Sequence, residues 1–357
     1  MPNESLELSL LSLFSLISFF IFLIIQKLSH KIFKGALLDN DFSKPQAFHT
    51  NEISRIGGLA ALIAFSVFLI LSDLAFGKFY YNYLVISLGI FFIGFLEDVK
   101  FNLSPKIRLI SMIFVILISI VVFSIDIKFV DYFLLSFLKN SKLFMTIFVL
   151  LCFLFIINGS NLIDGFNGLL SIHLIIINII LMMINFESNH TNFATLITAQ
   201  IIVLITFLLF NFPKAKIFMG DGGAYFFGAL TSLNIIYTNN FNSKTSSFFF
   251  CILLFYIFFE VFFSFFRKIY QKKSPFRPDG FHLHMLIFKS LKIKTKIKDC
   301  NYLTSLAINA AYIILILPSI LMRDNASFAM YWFFSLLVIY LLIFSRLYSF
   351  IKKQIDI

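Results

Sequence analysis

The stretch from Leu143 to Asn185 reads LFMTIFVLLCFLFIINGSNLIDGFNGLLSIHLIIINIILMMIN. Two apolar runs flank a polar turn that carries one acid and three glycines. At 1.5 Å per residue each run approaches the ~30 Å hydrocarbon core of a bilayer. The same pattern repeats along the 357 residues, with spans near 7–28, 56–74, 80–97, 107–124, 143–158, 168–185, 194–212, 221–238, 247–266, 303–322 and 328–348. Sixty per cent of residues are apolar and 13% charged, against roughly 25% charged in soluble domains. A water-soluble fold could not hide that much apolar surface. The reading is an all-α integral membrane protein. It is a polytopic bundle of about eleven transmembrane helices, a single domain over residues 1–357.

The net charge of +11 has two ordinary sources, a nucleic-acid surface or the cytoplasmic loops of an inner-membrane protein. The second needs no added assumption, so no nucleic-acid partner is expected. The first apolar run follows Glu4 and Glu7 and precedes Lys27, Lys31 and Lys34. That is the charge order of a retained helix with its N-terminus outside, not of a signal peptide. Alternating from there, the loops 29–55, 98–106, 159–167, 213–220 and 267–302 and the C-terminal tail lie inside. With span-flanking residues included, 23 of the 29 Lys and Arg fall inside and six outside. That ratio favours this orientation, with a cytoplasmic C-terminus. Cys152, Cys251 and Cys300 are scattered and form neither a metal-type pair nor a disulfide framework.

The chemistry is carried by acids at helix ends. Glu97-Asp98 closes the third span, Asp164 lies in Asn158-x-x-Asn161-x-x-Asp164-Gly165, and Asp221 lies in Phe218-Met-Gly220-Asp221-Gly222-Gly223. Each has a structural reading. Asp221 starts a helix, Asp164-Gly165 is a turn pair, and Glu97-Asp98 is a solvated loop entry. Their common placement on the inside face argues for more. Carboxylates gathered there repel one another without a cation, and oxygen-only ligands suit Mg²⁺ or Mn²⁺. The first inside loop adds Asp41, His49, Arg55 and Gly57-Gly58; the long one adds Arg277-Pro-Asp279-Gly-Phe-His282-Leu-His284. Arginine and paired histidines on that face suit a phosphate site. His173 is read as facing the helix bundle, and His190 as a residue of an outside loop. Metal, glycine-rich backbone and Arg/His donors are the parts of a phosphoryl-transfer site. No Walker A loop is present, which argues against an ATP-driven pump.

From about residue 39 to 285 these motifs resemble, in order, those of the polyprenyl-phosphate N-acetylhexosamine-1-phosphate transferases, glycosyltransferase family 4. The family's usual Asp-Asp pair is Glu97-Asp98 here. The resemblance implies an eleven-span fold in the bacterial inner membrane with a cytoplasmic active site. It implies a reaction of a UDP-sugar with undecaprenyl phosphate that releases UMP and requires Mg²⁺. Carried over, Asp221 is the principal metal ligand with Asp164 beside it. Asp98 is the carboxylate that deprotonates or orients the lipid phosphate, with Glu97 assisting. Asn158, Asn161, Asp164 and Asn211 contact nucleotide and metal surroundings. His282 and His284 contact diphosphate or sugar, with Arg277, His49 and Arg55 joining the substrate contacts. Glu260 near the end of span nine is read either as a site acid or as a helix-end partner of Arg267.

Within the family, the peptidoglycan branch carries Thr-Pro-Thr-Met-Gly-Gly in its first loop and a consecutive His triplet in its last. This chain has Ile53-Ser-Arg55-Ile-Gly57-Gly58 and His282-x-His284. The N-acetylhexosamine branch, serving O-antigen, enterobacterial-type antigen or capsule assembly, is therefore favoured over phospho-MurNAc-pentapeptide transfer. A secondary transporter or flippase is the contrasting class, but such proteins place their charges near the bilayer midplane. A homodimer is one assembly compatible with this reading.

Overall fold

The computed structural model describes residues 2–29, 31, 35–39, 52–131, 140–275, 279–295 and 300–355. His49, Arg277 and Asp41 lie outside the described residues, so their expected roles have no structural counterpart here. Among the described residues the chain forms thirteen helices and one two-stranded ribbon. The helices are α1 (Pro2–Leu28), α2 (Gly57–Phe76), α3 (Tyr81–Asp98), α4 (Pro105–Phe123), α5 (Lys142–Ile163), α6 (Leu169–Glu187) and α7 (Thr191–Asn211). They continue as α8 (Gly220–Phe241), α9 (Ser247–Leu253), α10 (Phe255–Tyr270), α11 (Leu283–Thr295), α12 (Asn301–Leu321) and α13 (Ala326–Ile355). Strands β1 (Leu38–Asp39) and β2 (Ile53–Ser54) pair antiparallel.

Nine of these helices are long and apolar enough to cross a membrane. The two remaining expected spans do not pass as single apolar helices. The ninth span, read as one helix, is broken: α9 and α10 meet at Leu254 with a 74° bend. The Tyr312 hydroxyl donates to the Leu253 carbonyl at 2.8 Å, meeting an acceptor the bend leaves without a helical partner. The eighth, α8, has 22 residues, enough for roughly 33 Å, but it is too polar to pass as a lipid-facing helix. Seventeen of its residues are buried, so its polar groups meet protein instead.

The polar groups of α8 pair with those of its neighbours. Asn234 Nδ2 donates to Gln200 Oε1 on α7 at 2.7 Å and to Asn178 Oδ1 on α6 at 2.9 Å. The Tyr83 hydroxyl of α3 donates to Asn234 Oδ1 at 2.9 Å. A satisfied network of this kind fixes the register of four helices, because slipping any one would strand a polar group in an apolar interior. Around this core, α1 and α13 are mostly exposed and form the outer staves.

The connections gather at two ends. At one end, 124–131, 242–246 and 322–325 meet: Asn240 Nδ2 donates to the Asp126 carbonyl, and Ser246 N–H to the Arg323 carbonyl. Glu7 at the start of α1 lies there too, accepting from Thr195 at 2.8 Å. At the other end the ribbon, the 164–168 turn and the 212–219 segment meet, and Tyr348 of α13 packs on Phe281. The two termini therefore sit at opposite ends of the bundle, and every acidic motif lies at the C-terminal one.

Candidate active site

The site is assembled on the N-terminus of α8. Its entry segment is clamped by the first loop: Phe218 N–H donates to the Ser54 carbonyl, and Gly57 and Gly58 N–H donate to the Phe218 and Met219 carbonyls. This brings α2 against α8 so closely that a Cβ on Gly58 would lie 2.4 Å from Gly223 Cα. Gly220 turns the chain into α8 at φ +76°, a conformation that disfavours other residues.

Met219, the residue before α8, offers no side-chain cap. The cap comes from another helix. Asp98, ending α3 at 2% exposure, accepts from the Asp221 N–H at 2.9 Å and the Gly222 N–H at 2.8 Å, one on each carboxylate oxygen. These are orphan donors of a helix start, where a negative charge is favoured by the helix dipole. Arg55 Nη1 lies 3.7 Å from Asp98, while its other nitrogens bond Asp39 at 2.7 and 3.2 Å. Asp98 thus holds the start of α8, with a second lone pair left on each oxygen. Its neighbour differs: Glu97 is partly exposed, and its Oε2 is buried with no hydrogen-bond partner among the described residues.

Asp221 presents its own side chain to Arg108 of α4, Oδ2 to Nη1 at 3.1 Å, with both groups about one-fifth exposed. Burial and the nearby Asp221 push the Asp164 carboxyl up to about 7, only partly offset by Arg55. The protein alone therefore disfavours charge on Asp164, and a cation bound beside it would favour that charge. Among the described residues no three His, Cys, Asp or Glu side chains converge as a ready-made metal cage. Asp164 and Asp221 remain the acids able to share a cation, since Mg²⁺ is commonly held by one or two carboxylates and completes its shell with waters and phosphate oxygens.

The expected asparagines divide. Asn211 is buried, its Oδ1 accepting from the Gly168 N–H at 2.7 Å and its Nδ2 donating to the Ile217 carbonyl at 2.9 Å. It ties the Asp164 turn to the α8 entry from behind. Asn158 folds onto its own helix, donating to the Leu154 carbonyl at 2.7 Å, and Asn161 is half-buried one turn on. His173 is buried in the bundle with Nδ1 3.1 Å from Asn309 Oδ1, and His190 stacks on Phe241 at the far end.

His282 and His284 enter beside the Asp164 turn. A Cβ on Gly165 would lie 3.7 Å from His284 Nε2, and Phe166 packs edge-on against the same ring. The two imidazoles are stacked, 5.5 Å apart and within 4° of parallel. Both Nε2 atoms are buried without a hydrogen-bond partner among the described residues, although Asp279 Oδ1 lies 3.4 Å from that of His282. Burial pushes His284 down to about 3, so it is neutral at ordinary pH. Glu260 does not pair with Arg267: it bonds His282, and Arg267 holds Asp279 at 2.9 and 3.3 Å. Sequence reasoning missed Arg108, although a charged residue in the first turn of an apolar span was a visible signal; Tyr256 and Tyr340 gave none.

Residues 80–239 match the model of glycosyl transferase family 4. The chain is 31% identical over 232 residues to the phospho-N-acetylmuramoyl-pentapeptide-transferase of Dictyoglomus turgidum, an alignment covering 62% of this chain and 73% of that one. The chain belongs to glycosyl transferase family 4. This family 4 protein is also 26% identical over 281 residues to the undecaprenyl-phosphate alpha-N-acetylglucosaminyl 1-phosphate transferase of Thermotoga maritima, covering 78% of this chain and 80% of the relative. The family 4 match contains Glu97, Asp98, Asp164, Asn211 and Asp221, while the histidine pair lies beyond it.

Proposed function

We propose that this protein transfers an N-acetylhexosamine-1-phosphate from a UDP-sugar to a polyprenyl phosphate, undecaprenyl phosphate in bacteria, and releases UMP. The observation that carries the reading is the grouping of Glu97, Asp164 and Asp221 with Arg55 and Arg108 at one end of a membrane bundle, beside the stacked imidazoles of His282 and His284. An oxygen of the lipid phosphate attacks the sugar-bound phosphorus of the donor. The bond from that phosphorus to the bridging oxygen breaks, and the oxygen leaves with UMP. Glu97 takes or holds away the lipid phosphate's proton, a role favoured by its partial exposure and its Oε2 without a partner among the described residues, while Asp98 holds the start of α8. Arg108 and Arg55 hold phosphate oxygens, as forked cations do. Asp221 and Asp164 would hold Mg²⁺, whose chemistry when bound is to neutralise charge on the diphosphate. A carboxyl at Asp164 whose charge the protein alone disfavours, and the orphaned Glu97 oxygen, fit a cation.

The charge distribution between loops supports a cytoplasmic site, the face where a UDP-sugar is met. The N-acetylhexosamine branch is supported by Ile53-Ser-Arg55-Ile-Gly57-Gly58 and by His282-x-His284. The Dictyoglomus relative keeps phospho-MurNAc-pentapeptide transfer as the second reading. The test is a panel of UDP-sugars offered with undecaprenyl phosphate and Mg²⁺ to the purified protein. UDP-GlcNAc or a close derivative is expected to give the fastest UMP release. Release from UDP-MurNAc-pentapeptide alone would select the second reading.

A further inference from the structure

Glu260 plays no part in the chemistry above, yet it is among the most constrained acids of the fold. It lies on α10 within the bent membrane span and is 1% exposed, a costly place for a carboxylate. Both of its oxygens are engaged. Oε1 bonds His282 Nδ1 at 3.0 Å and accepts from the Leu283 N–H at 3.2 Å. Oε2 accepts from the Tyr340 hydroxyl of α13 at 2.7 Å. A carboxylate only accepts, so His282 donates from Nδ1 and the tautomer question is settled by its partner. A tie between α10 and α13 would need only the Tyr340 bond. The other oxygen spends both of its bonds on the histidine segment.

The surroundings extend the same logic. Asp279, held by both terminal nitrogens of Arg267, places Oδ1 3.4 Å from His282 Nε2. The Tyr256 hydroxyl, also on α10, lies 3.3 Å from His284 Nδ1. Helix α10 therefore addresses the Nδ1 edge of both rings, and the Nε2 edges, that of His282 shared with Asp279 at 3.4 Å and that of His284 without a hydrogen-bond partner among the described residues, are the edges left for a ligand.

We propose that Glu260, seconded by Tyr340, is a positioning residue of the transferase: by accepting the Nδ1–H it fixes the orientation of His282, so that the ring, when it meets the diphosphate of the nucleotide-sugar as the imidazolium, aims its Nε2–H at a phosphate oxygen. This rests on the transferase reading. A carboxylate behind a metal-ligating imidazole orients it and raises its basicity, and losing one typically costs roughly 10–100-fold; a loss of the same order is expected for the partner of His282.

The test uses the full-length protein in nanodiscs, labelled with ¹⁵N-histidine, with Glu260→Gln, Glu260→Asp and Tyr340→Phe variants and His282→Asn to assign the His282 signals. Glu260→Gln is expected to lower kcat for UMP release about 10–100-fold with KM for the UDP-sugar changed by less than about threefold. Glu260→Asp is expected to recover part of that loss, and Tyr340→Phe to lose less than Glu260→Gln. The protonated Nδ1 signal of His282 is expected in the wild type and lost or moved in Glu260→Gln. An unchanged kcat in Glu260→Gln, or an unchanged His282 signal, overturns the proposal. Should Glu260→Gln fail to fold, an aspartate variant no better than the wild-type scaffold lacking His282, or a Tyr340→Phe variant with an unmoved His282 signal, overturns it equally. A wild type that releases no UMP from any UDP-sugar refutes the transferase reading instead, and the ¹⁵N signal alone then decides whether Glu260 orients His282.

Discussion

Replacing Asp98 with Asn separates the residue that builds the site from those that work in it. Asp98 is 2% exposed and gives one oxygen to each of two backbone N–H groups at the start of α8. Hydrogen bonds to a charged group are worth roughly 1.5–3 kcal/mol each. Asparagine keeps one carbonyl oxygen but turns an NH₂ toward the other N–H, losing one bond and stranding a donor. It also removes the charge that faces the helix dipole and Arg55. The expected cost is about 3–5 kcal/mol. Asp221→Asn loses only a partly exposed pair with Arg108, worth about 1 kcal/mol or less. Thermal unfolding of the detergent-solubilised protein, followed by size-exclusion recovery, should therefore show a midpoint several degrees lower for Asp98→Asn and near wild type for Asp221→Asn. Activity should vanish in both. A wild-type midpoint for Asp98→Asn, or a larger loss for Asp221→Asn, would refute the assignment of Asp98 as the cap of α8.

Three further outcomes are expected. The Asp164 carboxyl titrates near 7 in the fold and near 3.9 unfolded, so the folded state holds the extra proton between those values. Its contribution to stability is therefore lost as pH rises through that window, and in metal-free protein Asp164→Asn should flatten the slope of midpoint against pH. Gly58→Ala forces a Cβ to 2.4 Å from Gly223 Cα and 2.8 Å from the Met219 carbonyl, and should cost about 1–3 kcal/mol or more by unfolding midpoint. Arg108→Gln removes a charged phosphate donor and should raise KM for the UDP-sugar about tenfold or more, with a midpoint near wild type.

Hydropathy located each of the nine described helices long and apolar enough to cross a membrane, because apolar length is a local property of the chain. It did not foretell the bend at Leu254, which has neither Pro nor Gly within α9 or α10 and depends on contacts such as Tyr312. The acidic motifs were legible as a set, since clustered acids at apolar ends are unusual in any one segment. Their division of labour was not, because Asp98 finds its partners 123 and 124 residues away. Glu260 shows the same limit. Arg267 was the obvious neighbour along the helix, but seven residues are roughly 10 Å of rise, beyond ion-pair reach. Glu260 finds its partner only when the chain returns at His282.

The transferase account makes one chemical commitment that separates it from ordinary glycosyl transfer: attack falls on phosphorus, not on the sugar carbon. The identity of the released nucleotide reads this directly. Wild-type protein supplied with undecaprenyl phosphate, UDP-GlcNAc and Mg²⁺ should release UMP in equal amount to an undecaprenyl-diphospho-sugar identified by mass. Release of UDP with a monophospho-sugar lipid, or no nucleotide release from any UDP-sugar, would contradict it.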